Sequence, residues 1–411
     1  MKQTMRFLFV SAQLPGHLDW GGYLATAAEL VRRGHEVRWA SGQAVAALVA
    51  QAGVPFYPLV ETGWRWPPPP PLQVSPEIDA ATVRRLRAER ALDQWLDVAR
   101  VTPAATELNA LGQAFRPDVL VSEMFVSAAG IAAEALGIPL AVAGWPAMQP
   151  RVADGSDNLV AEARDRLRQL LMHFAIQGVY WTTEGAPALF SPHLHLTYWS
   201  LRWYSGLALL PQTAHVGGQA PPPAAPPPWP DRDPWVLITL GTSFGNDPNF
   251  FINASHATVQ LGCLPILALG GQFPSAAVQA MRARLPAQAI LTERVDFAAV
   301  LPNVAAAIHH GGAGTTHALV THAVPQILVP HAADQMHQTQ GIVRSGVGFH
   351  VPAREATIDR LAAALAQVLP DLSQYRTNAQ TLRDEFAALG GVPRAADLLE
   401  QMAGYPPRST G

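Results

Sequence analysis

Short apolar runs alternate with helical periods along this chain, and each run ends in a turn that carries glycine or proline. That alternation admits few folds. Residues 5–12, with Phe7-Leu8-Phe9-Val10 at their centre, read as a buried parallel strand. From Gly22 to Arg33 the apolar positions Leu24, Ala27, Ala28 and Val31 fall at helical spacing. Gly34 stops that helix, and His35 to Ala40 form the next strand. Strand, helix and parallel strand make a βαβ unit, which predicts a doubly wound α/β sheet. The pattern recurs with a strand at Asp118–Val121, a helix over Ala128–Leu136 and a strand at Pro139–Val142. A second series begins at Trp235–Leu240 and continues with strands near 265–269, 289–291, 305–308 and 326–329.

The length, 411 residues, suits two domains that each bury a core. Charged residues make up 14% and the net charge is -3, so broad binding to nucleic acid or to an anionic membrane is not expected. A single cysteine, Cys263, excludes an internal disulfide framework, reads as a small buried apolar residue, and suits a reducing cytoplasm. Lys2 and Arg6 precede the first apolar run, but that run is too short for a signal-peptide core and is broken at once by Gln13 to His17. No stretch reaches the roughly 18 apolar residues a membrane span needs. The expectation is a cytoplasmic protein, with contact at a membrane edge left open.

Two proline-rich stretches interrupt the series. Trp64-Arg65-Trp66 followed by Pro67 to Pro71 reads as an extended loop. The second, 219–234, reads as a semi-rigid linker between an N-terminal domain, 1–218, and a C-terminal domain, 235–385, with a terminal helical segment, 386–411, after them. Asp231-Arg232-Asp233 within the linker has the look of a metal-binding acid pair but is read as a solvated turn, and no metal site is assigned.

The segment from His309 to Leu319 is the most informative. His310-Gly311-Gly312-Ala313-Gly314-Thr315-Thr316 follows an apolar strand and opens a helix. Glycines let backbone approach a ligand, and the first amides of a helix point outward unpaired with a partial positive charge. A diphosphate fits there, with His310, Thr315 and Thr316 as further donors. After the next strand come Asp334 and Gln335, a carboxylate and an amide that together suit adjacent sugar hydroxyls; Asp334 as a helix cap is an equal reading.

These residues resemble the donor signature of the inverting GT-B glycosyltransferases that act on plant secondary metabolites and bacterial macrolides. Gly16-His17, Arg33-Gly34-His35-Glu36-Val37 and Ala135-Leu136-Gly137-Ile138-Pro139 resemble the same family's N-terminal half. The resemblance implies a GT-B fold, two Rossmann-like doubly wound domains facing a central cleft, with the terminal helix returning to the first domain. It implies a UDP- or dTDP-linked sugar as co-substrate, no other cofactor and no metal. The donor diphosphate would lie on His310 to Thr316 and its sugar on Asp334 and Gln335, with further donor contacts from Thr242, Ser243, Val295 and Phe297. His17 would be the general base and Glu123 its partner, where the family usually has Asp. Trp20 stands at the family's usual proline, Arg294 to Phe297 replace its base-stacking segment, and Gln338 replaces a common Asn.

The reaction expected is attack by an acceptor hydroxyl with inversion, its proton taken by His17 and leaving-group charge met by the glycine turn. Aromatics between 157 and 205 at this density are more often core than ligand contacts; the resemblance places this region, with Trp64 and Trp66, at the acceptor pocket, which implies a small apolar acceptor such as a lipid, terpenoid, carotenoid or polyketide. His193 and His195 lack a third metal ligand, and His317, His322, His331 and His337 are assigned mainly surface or helix-face roles. Two rivals remain: a nucleotide-sugar epimerase of this fold, and a non-catalytic relative that binds a nucleotide sugar. A dinucleotide-dependent oxidoreductase would need a GxGxxG after the first strand, and none is present.

Overall fold

A computed structural model describes residues 4–67, 69, 72, 77–144, 157–230, 233–242, 247–270, 273–331 and 333–404, with the backbone alone at 157, 158, 333 and 334. The chain divides into two units. The first comprises Met1–Thr197, Ala208–Ala214 and Val392–Gly411, the second Tyr198–Leu207 and His215–Gly391.

The first unit is built on a seven-stranded sheet of β1 (Arg6–Val10), β2 (Glu36–Ser41), β3 (Phe56–Pro58), β4 (Val119–Ser122), β5 (Leu140–Ala143), β6 (Leu194–Thr197) and β7 (Thr213–His215). Their order is β3-β2-β1-β4-β5-β6-β7, and β1 pairs in parallel with β2 on one side and β4 on the other. Phe7 to Val10 are wholly buried, as an apolar run with helices on both faces of its sheet must be. Helices Val98–Phe115 and Ser127–Leu136 supply Leu108, Leu111, Ile131 and Ala132 to the core over Leu8, Val10 and Leu120. The helix Tyr23–Arg32 lies in the crossover to β2, and the Tyr23 hydroxyl reaches the carbonyls of Val10 (2.8 Å) and Val121 (3.0 Å), tying the ends of β1 and β4 together. The last helix, Gly391–Ala403, is tied to this unit by Arg33, which reaches Asp397 (2.6 Å), Glu400 (3.0 Å) and the Pro393 carbonyl (2.9 Å).

The second unit carries β8 (Trp235–Thr239), β9 (Leu264–Ala268), β10 (Ile290–Thr292), β11 (Val304–His309), β12 (Gln326–Leu328) and β13 (Gly348–His350), all parallel, in the order β10-β9-β8-β11-β12-β13. The proline-rich stretch belongs to this unit: Ala224 donates to the Ala298 carbonyl, and Trp229 packs on Trp235 at 5.4 Å. Asp231 and Arg232 lie outside the described residues. The aromatics of 198–204 are core here. Trp199 stacks on Trp203 (4.2 Å) and meets His317 and Phe386 edge-on, and Trp203 presses on Gly341, where a Cβ would lie 2.0 Å from the indole. They are therefore not available as walls of a pocket in the first unit. Cys263 is buried and free. Among the described residues no helix is long and apolar enough to cross a membrane, and no group of three or more His, Cys, Asp or Glu could hold a metal ion.

Candidate active site

In an open parallel sheet, ligands gather beyond the carboxyl ends of the strands where the strand order reverses. In the first unit that point lies between β1 and β4, and the two residues singled out there meet. The chain leaving β1 turns into the short helix Gly16–Asp19, which carries His17, and Glu123 follows β4 directly. His17 Nδ1 lies 2.9 Å from Glu123 Oε1 and 2.7 Å from Oε2. Oε1 also accepts from the Ala12 amide (2.7 Å), and Oε2 from the Trp20 indole N–H (3.2 Å). With both oxygens accepting, His17 Nδ1 must carry a proton, and in the neutral ring the lone pair is then on Nε2. Glutamate in place of aspartate therefore reaches the imidazole. Glu123 is 1% exposed and His17 14%, so only the imidazole of the pair opens outward. Trp20, Trp64 and Phe125 surround the His17 ring with centroids at 4.9, 5.1 and 5.5 Å.

In the second unit the corresponding point lies between β8 and β11. β11 ends at His309, and the helix Ala313–Thr321 starts after Gly312 with no side-chain cap. The first amide to bond within this helix is that of Thr316, to the Gly312 carbonyl (2.9 Å). Among the described residues the amides of Ala313, Gly314 and Thr315 have no hydrogen-bond partner, which leaves them suited to an anion. Thr316 differs from its expected role as a hydroxyl donor: its side chain is buried, and its hydroxyl already donates to the Gly312 carbonyl (2.8 Å). Thr315 is half-buried. Gly311 has φ +92°, a conformation side chains rarely adopt. Gly312 and Gly241 clasp the ring of His310: a Cβ at either would lie 2.5 or 2.6 Å from it. His310 Nδ1 is buried without a hydrogen-bond partner among the described residues. Burial, with smaller contributions from His309 and His331, pushes His310 down to about 3, so its imidazole is neutral.

Sequence reasoning passed over the residue that holds this turn. His309, fully buried, accepts from the Gly311 amide at Nδ1 (3.2 Å) and donates from Nε2 to Gln326 Oε1 (2.9 Å); Gln326 in turn donates to the Thr316 carbonyl (3.4 Å). Burial first of all pushes His309 down to about 4. His317, expected on a surface or helix face, is buried instead, its Nε2 on the Tyr198 carbonyl (3.0 Å).

Gln335 stands beside the glycine turn, its carbonyl 3.2 Å from where a Cβ on Gly311 would be. Its side-chain oxygen accepts from the His331 amide (2.6 Å). His331 bonds the Val329 carbonyl through Nδ1 (2.7 Å) and turns Nε2 toward Asp247 Oδ2 (3.5 Å). The backbone of Asp334 opens the helix Ala333–Ser345 one residue before Gln335; its side chain is outside what is described. Thr242 is exposed just past Gly241, and Ser243 lies outside the described residues. The side chains of Val295 and Phe297 pack against the apolar cluster of Trp235, Leu237 and Ile266, so at that turn the exposed groups are Glu293, Arg294 and Asp296.

A family model described as the erythromycin biosynthesis protein CIII-like C-terminal domain matches residues 272–402. The chain is 27% identical to 4'-demethylrebeccamycin synthase of Lentzea aerocolonigenes, over 95% of this chain and 98% of that one. It is 24% identical to TDP-daunosamine transferase DnrS of Streptomyces peucetius, over 97% of each. Among solved structures, the glycotransferase of kitacinnamycin superposes with a TM-score of 0.77 at 22% identity, over 97% of this chain and 99% of that one. Two Rossmann-like units whose first six strands follow the same order, a glycine turn with open amides and full-length likeness to antibiotic glycosyltransferases lead to one assignment: the fold is GT-B, and the chain is a nucleotide-sugar-dependent glycosyltransferase.

Proposed function

We propose that this enzyme moves a hexose from a TDP- or UDP-linked sugar to a hydroxyl of a small, largely apolar acceptor, with inversion at the anomeric carbon. The observation that carries the reading is the His17–Glu123 pair, with the imidazole among three aromatic rings. An alcohol is a poor nucleophile and needs a base in reach as it attacks, a contribution of about 10²–10⁴ in rate. His17 Nε2 takes the acceptor's proton while the acceptor oxygen bonds to the anomeric carbon. The bond from that carbon to the diphosphate breaks, and its electron pair leaves with the diphosphate. Glu123 holds the tautomer and stabilises the imidazolium. The leaving charge falls on the amides of Ala313, Gly314 and Thr315, with His310 as a neutral donor, and Asp334 grips the sugar; Gln335 is buried with its oxygen on the His331 amide and so differs from its expected role.

The TDP-daunosamine transferase relative favours a TDP-linked donor. Apolar acceptors suit the rings of Trp20, Trp64 and Phe125 at the base. A single, buried, free cysteine suits work in the cytoplasm. The test is incubation with TDP- and UDP-sugars of known anomeric configuration and a panel of apolar hydroxylated acceptors, with the product's anomeric coupling read by NMR. Product of opposite configuration to the donor is expected. Product of retained configuration contradicts inversion, and free nucleotide released equally without any acceptor contradicts transfer.

A further inference from the structure

We propose that Trp20 is a positioning residue for the base: its indole N–H fixes the second oxygen of Glu123, and so fixes how that carboxylate meets His17. The inference rests on the reading of His17 as the base.

Glutamate has one more rotatable bond than aspartate, so a glutamate in this place must be held to be useful. The Ala12 amide holds Oε1 at 2.7 Å. With that bond alone the carboxylate could pivot about Oε1. Trp20 Nε1, 3.2 Å from Oε2, removes that freedom. His17 Nδ1 then sits against a carboxylate whose two oxygens each have a donor besides the imidazole.

The protein goes to some length to place this indole. Trp20 adopts a left-handed backbone (φ 42°, ψ 19°) where the helix Gly16–Asp19 ends, a conformation disfavoured for a bulky residue. Its ring lies over Gly144, just past β5, where a Cβ would come within 2.9 Å of the indole. The side chain is 5% exposed and also packs on His17 (4.9 Å) and Phe125 (6.1 Å). A wall for an acceptor would need only the ring face; the N–H directed at a buried carboxylate is a separate requirement. Trp20 and Glu123 form a matched pair, the longer acid reaching the indole donor. Among the described residues Glu123 is the charged side chain paired with His17; the other titratable group on the same short helix is Asp19, which accepts from the Gly21 amide (3.3 Å) and is held above its ordinary value by burial.

The test is Trp20→Phe, which keeps a ring and removes the N–H. The expected result is a fall of roughly tenfold in kcat, the worth of one hydrogen bond to a charged group, with KM for the nucleotide sugar unchanged. The acid limb of kcat/KM moves to higher pH, because a carboxylate relieved of one donor draws harder on the imidazole proton. Glu123→Asp, which withdraws the carboxylate from the indole, gives a loss that is not additive with that of Trp20→Phe. TDP binding by calorimetry certifies a folded variant. Should Trp20→Phe fail that check, benzothienylalanine at position 20 replaces the N–H with sulfur in the same outline, and the same shift is read. Wild-type kcat with an unmoved pH profile, a loss confined to acceptor KM, or additive losses would overturn the proposal. If His17→Ala keeps its turnover, the base reading itself fails; if His17→Ala is inactive while Trp20→Phe is normal, only the role of Trp20 fails.

Discussion

The two units share a strand order and differ in what stands where that order reverses. Past β1 and β4 the first unit presents side chains: an imidazole, a carboxylate beneath it and an indole beside both. Past β8 and β11 the second unit presents backbone: the amides of Ala313 to Thr315, with neutral imidazoles and no carboxylate in the turn. The contrast follows from the chemistry each point is suited to. Taking a proton needs a side chain that can hold one, supported by buried charge. Receiving an anion needs only oriented dipoles and room, which glycine supplies. One topology thus serves opposite electrostatic ends, and the loops alone decide which.

The sharpest way to separate the two points is Glu123→Gln. The amide no longer enforces the Nδ1–H tautomer, so kcat falls roughly 10³-fold while TDP affinity stays that of the wild type. Steady-state kinetics and a TDP titration check both halves, and a variant that also loses TDP would break the division. Gly312→Val tests the other point. Its Cβ would displace the His310 ring, 2.5 Å away, and TDP should bind about 10- to 100-fold more weakly, as for loss of a hydrogen bond to a charged group. The pH dependence set by His17 should not change.

A smaller contrast lies in acid stability. His309, His310 and His317 of the second unit are pushed down by burial to about 4, 3 and 4, whereas the first unit has His195, pushed by burial to about 4. Between those values and the ordinary histidine value of about 6.5, the unfolded chain binds protons that the native chain does not, so stability rises with pH and is lost as pH falls from 6.5 toward 4. Each such histidine costs up to about 1.4 kcal/mol per pH unit in that window. In calorimetry from pH 7 to pH 5, the transition that TDP raises, that of the second unit, should fall faster than the other. Equal falls would remove the contrast.

Much of this was legible in the sequence, for physical reasons. Runs such as Phe7 to Val10 and Val236 to Ile238 are apolar on both faces, and only a strand covered on both sides uses them. The glycine turn was legible because the role proposed for it is played by backbone, which glycine marks. What stayed hidden was pairing at a distance. His309 and Gln326 meet because β11 and β12 pair Ala307 with Gln326 and His309 with Leu328, which sets the two diagonally on one face. No spacing along the chain announces that. Trp20 stood out only as a departure from proline, since nothing local says that its N–H reaches a residue 103 positions away. The aromatics of 198–204 were legible as core, but density of rings marks a core without saying whose. β13, three residues long, is too short to carry a period.

His17→Ala, followed in one preparation by acceptor glycosylation and by TDP binding, tests the division of labour most directly. The account predicts a loss of transfer of at least about 100-fold with TDP affinity unchanged, since the proposed base lies in the first unit and the proposed diphosphate cradle in the second. Wild-type transfer by a variant that still binds TDP would contradict it.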